Sequence, residues 1–246
     1  MENHKGFIVL VDISGYTNFV SKHNTDSSNN KKLDFGQAHA EHIISDLLEK
    51  VINELDNVLT INKLQGDAAL FYGIPGNDNN LSSEILKKLQ TSFEAFNKRL
   101  NELKFVESCK CGTCADVGNL RLKSFVHYGD FLIKEINQFK EIAGQDVILA
   151  HRLMKNSISV SEYMLFTKSF TDIKDINSLG SIENRVEKYD DMGSVDCIVH
   201  YPDKKLYDIE ISSKKSWLGT KIAMLKYFIN SKSKKDLELK YDIVPN

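Results

Sequence analysis

An excess of either charge is missing from this 246-residue chain: 32 basic residues stand against 34 acidic ones, a formal net charge of −2. Without a global basic field, no nucleic-acid partner is expected. A long apolar run is missing from the start. Phe7 to Val11 is too short for a signal peptide or a membrane span, so a cytoplasmic chain is expected. No internal repeat is visible. Cysteines are few. Four are present, and only Cys109, Cys111 and Cys114 lie together, in a C-x-C-x-x-C cluster, with Cys197 apart. In a reducing compartment such a cluster argues for metal or redox chemistry over a disulfide. Zinc wants four ligands, and the sequence has no second C-x-x-C or H-x-x-H pair. Cys197, a histidine or a second subunit would have to complete a zinc site; free thiols in a loop are the default.

What is there is ordinary soluble composition, 41% hydrophobic and 27% charged. The length suits one large domain, or a domain with an appendage. Two short segments carry the chemistry. The apolar run Phe7 to Val11 ends in Asp12, followed by Ile13-Ser14-Gly15-Tyr16-Thr17. Further on, Gly66-Asp67 separates two β-prone runs, Asn57 to Leu64 and Ala68 to Tyr72, which reads as a tight hairpin with an acid at its tip. If the first strand lies beside the hairpin, Asp12 and Asp67 converge at one sheet edge. Two convergent carboxylates repel, and a divalent cation is the natural resolution. Each motif alone also reads as structure, a solubilising strand end and a common turn dipeptide.

The spacing predicts a strand over Gly6 to Asp12, a helical turn through Tyr16, Phe19 and Val20, and a mobile loop over His23 to Lys32. Amphipathic helices follow over Ala38 to Leu55 and Ser82 to Leu103, on either side of a hairpin over Asn57 to Gly73. Leu120 to His127 alternates as a strand, and Gly129-Asp130 is expected to turn it into another, Phe131 to Ile136. Gly144 to Asn156 is a helix with Ile148 and Arg152 on one face, and Tyr163 to Thr167 a strand. This order is α+β, a ferredoxin-like antiparallel or mixed sheet with helices packed on it. Residues 1–170 read as one domain and 171–246 as a C-terminal α/β extension packed on it. The extension carries strands over Val195 to Tyr201 and Lys205 to Ser212 and an amphipathic segment from Trp217 to Ile229.

Four blocks in this order resemble the catalytic domain of class III nucleotidyl cyclases, the adenylate and guanylate cyclases, over about residues 6–170. They are Asp12-Ile13-Ser14-Gly15-Tyr16-Thr17, Lys63-Leu64-Gln65-Gly66-Asp67, Ser124 to Asp130, and Glu141 to Leu153. The cysteine cluster and His151 to Asn156 are similar to an uncharacterised bacterial branch of that superfamily. The resemblance implies that Asp12 and Asp67, with the backbone carbonyl of Ile13, hold two Mg²⁺ or Mn²⁺ ions per site against a nucleoside triphosphate. It puts Arg152 on the arginine that faces the α-phosphate. Lys63 and Glu141 fall on the base-reading pair, a donor and an acceptor that suit the adenine edge. It further implies a homodimer with composite sites: metal residues from one subunit, arginine and base-reading residues from the other.

One position departs from the family. Four residues before Arg152 the family has an asparagine that orients the ribose; here Ile148 stands there and cannot hydrogen-bond. Asn156, one turn beyond Arg152, is the candidate substitute. Two functions follow: a purine nucleotidyl cyclase acting on ATP by two-metal catalysis, or a catalytically impaired relative that binds nucleotide and signals as a dimer. The alternatives for single residues are plain: Lys63 a solvated strand residue, Glu141 a loop acid, Arg152 an ion-pair partner of Asp146 or Glu141, and His127 a strand histidine.

Overall fold

The computed structural model describes residues 2–24, 33–76, 80–106 and 116–203. The strands are β1 (Glu2–Ser14), β2 (Thr60–Gln65), β3 (Ala68–Gly73), β4 (Arg121–Ile136), β5 (Phe139–Ala143), β6 (Tyr163–Thr167), β7 (Ile182–Tyr189) and β8 (Gly193–His200). The helices are α1 (Tyr16–Asn24), α2 (Leu33–Leu55), α3 (Leu81–Val106), α4 (Gln145–Leu153) and a single turn, α5 (Lys168–Thr171). The α+β expectation holds.

The strands form one sheet in the order β2-β3-β1-β4-β6-β8-β7, with β5 pairing the far half of β4. β4 and β6 run parallel and the other pairs antiparallel. β1 lies in the middle, which is why its Phe7–Val11 run is apolar without alternation: both faces are covered. Phe7, Val9, Val11 and Ile13 pack into the cluster with α2 and α3. Ile8 and Leu10 pack into the opposite cluster with Val147, Ala150 and Leu153 of α4. On the first face Arg99 donates to Asp46 at 2.6 Å and Lys88 to Glu54 at 3.1 Å, which ties α3 to α2 at the rim of the core.

The expected turn at Gly129-Asp130 does not form. β4 runs through it because β1 stays alongside to its first residues, with Gly6 opposite Gly129 and Lys5 opposite Asp130. The reversal falls at Asn137, whose φ of 59° takes the left-handed region that asparagine tolerates. Gly129 is glycine for a different reason: a Cβ there would strike the Asp146 carboxylate and the His127 ring. Helix α4 is also shorter than expected, ending at Leu153. The expected strand near Val195 is β8, and its partner β7 is new. The strand expected over Lys205 to Ser212, the segment from Trp217 to Ile229, and most of the loop from His23 to Lys32 lie outside the described residues.

Candidate active site

Asp12 is near the end of β1, opposite Ala68 of β3 on one side and Lys123 of β4 on the other. Asp67 is the second residue of the β2–β3 turn. Gly66 precedes it with φ +63° while Asp67 keeps negative φ, the pattern of a two-residue turn with glycine first. The Ile13 N–H donates to the Asp67 carbonyl at 3.1 Å, so the backbone fastens the hairpin tip to the end of β1. The carboxyls feel each other. Burial first, and the charge of Asp67 second, push Asp12 up to about 6 against the opposing pull of Lys123. Asp67 is raised as well, by burial and by Glu41.

Glu41 of α2 reaches this corner and accepts a hydrogen bond from the Tyr16 hydroxyl at 2.7 Å. That bond, with burial and the nearby acids, lifts the Tyr16 hydroxyl to about 12. Among the described residues no three His, Cys, Asp or Glu side chains form a metal cage. The carboxylates at this corner are Asp12, Asp67 and Glu41, the last already engaged by Tyr16.

The second group lies across β2, β5 and α4. Lys63 Nζ is 3.8 Å from Glu141, and Lys134 Nζ is 3.7 Å from the same carboxylate. Glu141 is therefore a β5 residue paired in register with Lys134, not a loop acid. The Asn62 side chain donates to the Lys140 carbonyl at 3.1 Å and holds β2 against β5. Burial and the charge of Lys63 depress the neighbouring His151. Thus the structure brings Lys63 and Glu141 together, as it does Asp12 and Asp67.

Arg152 pairs with neither Asp146 nor Glu141; it donates to Asp191 in the β7–β8 turn at 2.7 Å. Asp146 is occupied elsewhere. It accepts from the Asp130 N–H at 2.6 Å and lies 3.3 Å from His127 Nε2, which fastens the start of α4 to β4. His127 is a buried strand histidine, its Nδ1 2.9 Å from the Thr167 hydroxyl, and burial lowers its pKa. Asn156 does not continue the Arg152 face, because the helix has ended. Its amide donates to the Leu153 carbonyl and the Tyr163 hydroxyl, both at 2.7 Å, and its oxygen accepts from Ile158. Ile148, in helical register with Arg152, is 53% exposed. Cys109, Cys111 and Cys114 lie outside the described residues, and Cys197 is a buried free thiol. Among the described residues no helix is long and apolar enough to cross a membrane.

Sequence reading missed Glu41, Lys123 and Asp191. Strand register would have found Lys123, whereas Glu41 and Asp191 reach the site only through tertiary packing.

The chain shares this architecture with known structures. The adenylyl cyclase CyaB from P. aeruginosa superposes with a TM-score of 0.56 over 82% of this chain and 97% of that one, at 14% identity. This is the adenylyl and guanylyl cyclase fold. A bacterial light-regulated adenylyl cyclase superposes over 92% of this chain and 99% of that one, with a TM-score of 0.51 and 9% identity. The guanylate cyclase domain of RhGC from Catenaria anguillulae, solved in complex with GTP, matches at 0.50 over 82% and 99%, with 11% identity. In sequence, a family model described as "Protein of unknown function (DUF2652)" matches residues 44–163. That span holds Lys63, Asp67, Glu141, Arg152 and Asn156 but not Asp12. The Mycobacterium tuberculosis protein described as "Uncharacterized protein Rv2561/Rv2562" is 34% identical over 124 residues, which are 50% of this chain and 57% of that protein. The match therefore spans little more than half of that relative.

Proposed function

We propose that this chain is a purine nucleotidyl cyclase, converting a nucleoside triphosphate, with ATP preferred, to a 3′,5′-cyclic nucleotide and pyrophosphate. The observation that carries the reading is the convergence of Asp12 and Asp67 at one sheet end, with both carboxyls held above the ordinary range. Carboxylate and carbonyl oxygens are the donors Mg²⁺ and Mn²⁺ prefer, and cations would offset the burial and the Asp67 charge that raise Asp12. When bound, two such ions supply charge neutralisation at the triphosphate and acidify the ribose 3′-hydroxyl.

The chain's own residues bind and orient. Asp12, Asp67 and the Ile13 carbonyl hold the cations. Lys63 donates to adenine N1 while Glu141 accepts from the N6 amino group; guanine presents the reverse pattern. Arg152 balances charge at the α-phosphate as the 3′-oxygen attacks in line and the bond to the leaving pyrophosphate breaks. Positioning supplies the remainder of the acceleration. Sites are shared across a homodimer, one protomer giving the aspartates and its partner the arginine and the base-reading pair. The exposed apolar side chains of Leu64 and Ile148, on the elements that carry these groups, suit burial in such an interface.

A second reading is favoured by Ile148, which offers no hydrogen bond where the ribose would lie. On that reading the chain binds nucleotide and signals as a dimer with little turnover.

Mixing two dead variants tests the shared-site enzyme. Asp67→Ala and Arg152→Ala damage opposite halves, so each alone is inactive. In an equal mixture half the dimers are mixed and each has one intact site. Cyclic nucleotide formation should return to about a quarter of the wild-type rate. A mixture as inactive as its components, beside an active wild type, contradicts the shared site.

A further inference from the structure

Arg152 already holds a carboxylate of its own chain. Its Nη2 donates to Asp191 Oδ2 at 2.7 Å, although 39 positions separate the two in sequence. Asp191 sits at the tip of the β7–β8 hairpin, and the stretch of β7 leading into that tip is fixed. Glu187, buried at 4% exposure, accepts from the Ser157 N–H at 3.0 Å and from the Ser157 hydroxyl at 2.9 Å. Arg185 donates to the same hydroxyl at 2.9 Å. Ser157 lies just beyond the end of α4, so the hairpin is anchored beside the helix that carries Arg152.

The two ends of this attachment differ in kind. Glu187 is desolvated and multiply bonded, whereas the Arg152 and Asp191 side chains keep 42% and 48% exposure. An exposed ion pair of this type opens readily. The contact is also incomplete, because Arg152 Nε is buried and makes no hydrogen bond. A guanidinium offers the same fork to a carboxylate and to a phosphoryl group, and a two-pronged partner outcompetes a single contact.

We propose that Asp191 is a built-in competitor for Arg152, which a phosphoryl group must displace, and that the β7–β8 tip thereby sets affinity for the triphosphate. The proposal rests on the reading of Arg152 as the phosphate-facing residue. It makes the hairpin an affinity-setting part of the site, not only a sheet extension.

The test is equilibrium binding of ATP with Mn²⁺ to the full chain, compared among wild type, Asp191→Asn, Arg152→Ala and the double variant. Asp191→Asn should tighten binding about two- to fivefold, the range a broken exposed ion pair allows. Arg152→Ala should weaken it, and the double variant should match Arg152→Ala. Unchanged or weaker binding by Asp191→Asn, while Arg152→Ala still weakens it, overturns the competitor alone. Equal tightening in the Arg152→Ala background overturns it too, as a general charge effect. Wild-type binding by Arg152→Ala, or no binding by any of the four proteins, overturns the reading of Arg152 and the competitor with it.

Discussion

Replacing Asp12 with asparagine is expected to move two measurements in opposite directions. Cyclic nucleotide formation should fall at least about a hundredfold, since even residues behind metal ligands cost ten- to a hundredfold when lost. The metal-free protein should become more stable at pH 7.5. The sign follows from the raised carboxyl: Asp12 is at about 6 in the folded chain against an ordinary 3.8. Folding therefore favours the protonated form. The ionisation penalty is absent below about pH 4, grows through the interval and is complete above about pH 6. Two pH units correspond to about 3 kcal/mol. Asparagine removes that penalty, so Asp12→Asn should melt several degrees higher than wild type at pH 7.5, and the gap should close towards pH 4. Mn²⁺ should raise the melting temperature of wild type and leave the variant unmoved. A variant less stable than wild type at neutral pH would show that Asp12 serves the fold and not a cation.

The second large effect is a gain. Ile148→Asn places an amide one helical turn before Arg152, where the family resemblance puts the group that orients the ribose. Ile148 is 53% exposed, so the exchange should disturb the fold little. A single well-placed donor at a developing charge is worth roughly a hundred- to a thousandfold. An added one, without a supporting shell, should raise kcat by roughly ten- to a hundredfold. The gain should appear in kcat more than in KM, because the contact strengthens in the transition state. Unchanged turnover would mean that this face of α4 does not meet the ribose.

Much of this was legible from residues with local signals. The uninterrupted Phe7–Val11 run marked a strand, Gly66-Asp67 marked a tight turn, and the period of Ile43, Leu47 and Val51 marked α2. Gly129-Asp130 misled because its dipeptide is a turn signal, whereas here the glycine makes room for Asp146 and His127 against β4. β5 was missed because it is short, begins with the exposed Phe139 and Lys140, and shows no apolar alternation. Asn156 was placed on the Arg152 face by extending a helix that in fact stops at Leu153. Asp191 carried no signal, since a turn aspartate meets Arg152 only after β7 and β8 have joined the sheet. The paired acids were readable because strand ends and turn tips are local; their partners from α2 and the hairpin are not.

The most direct measurement is to incubate the purified chain with Mn²⁺ and each of the four ribonucleoside triphosphates, and weigh the products. The account predicts a 3′,5′-cyclic purine nucleotide with matching pyrophosphate, from ATP before GTP, and none from Asp67→Ala. No cyclic product from any of the four would contradict it.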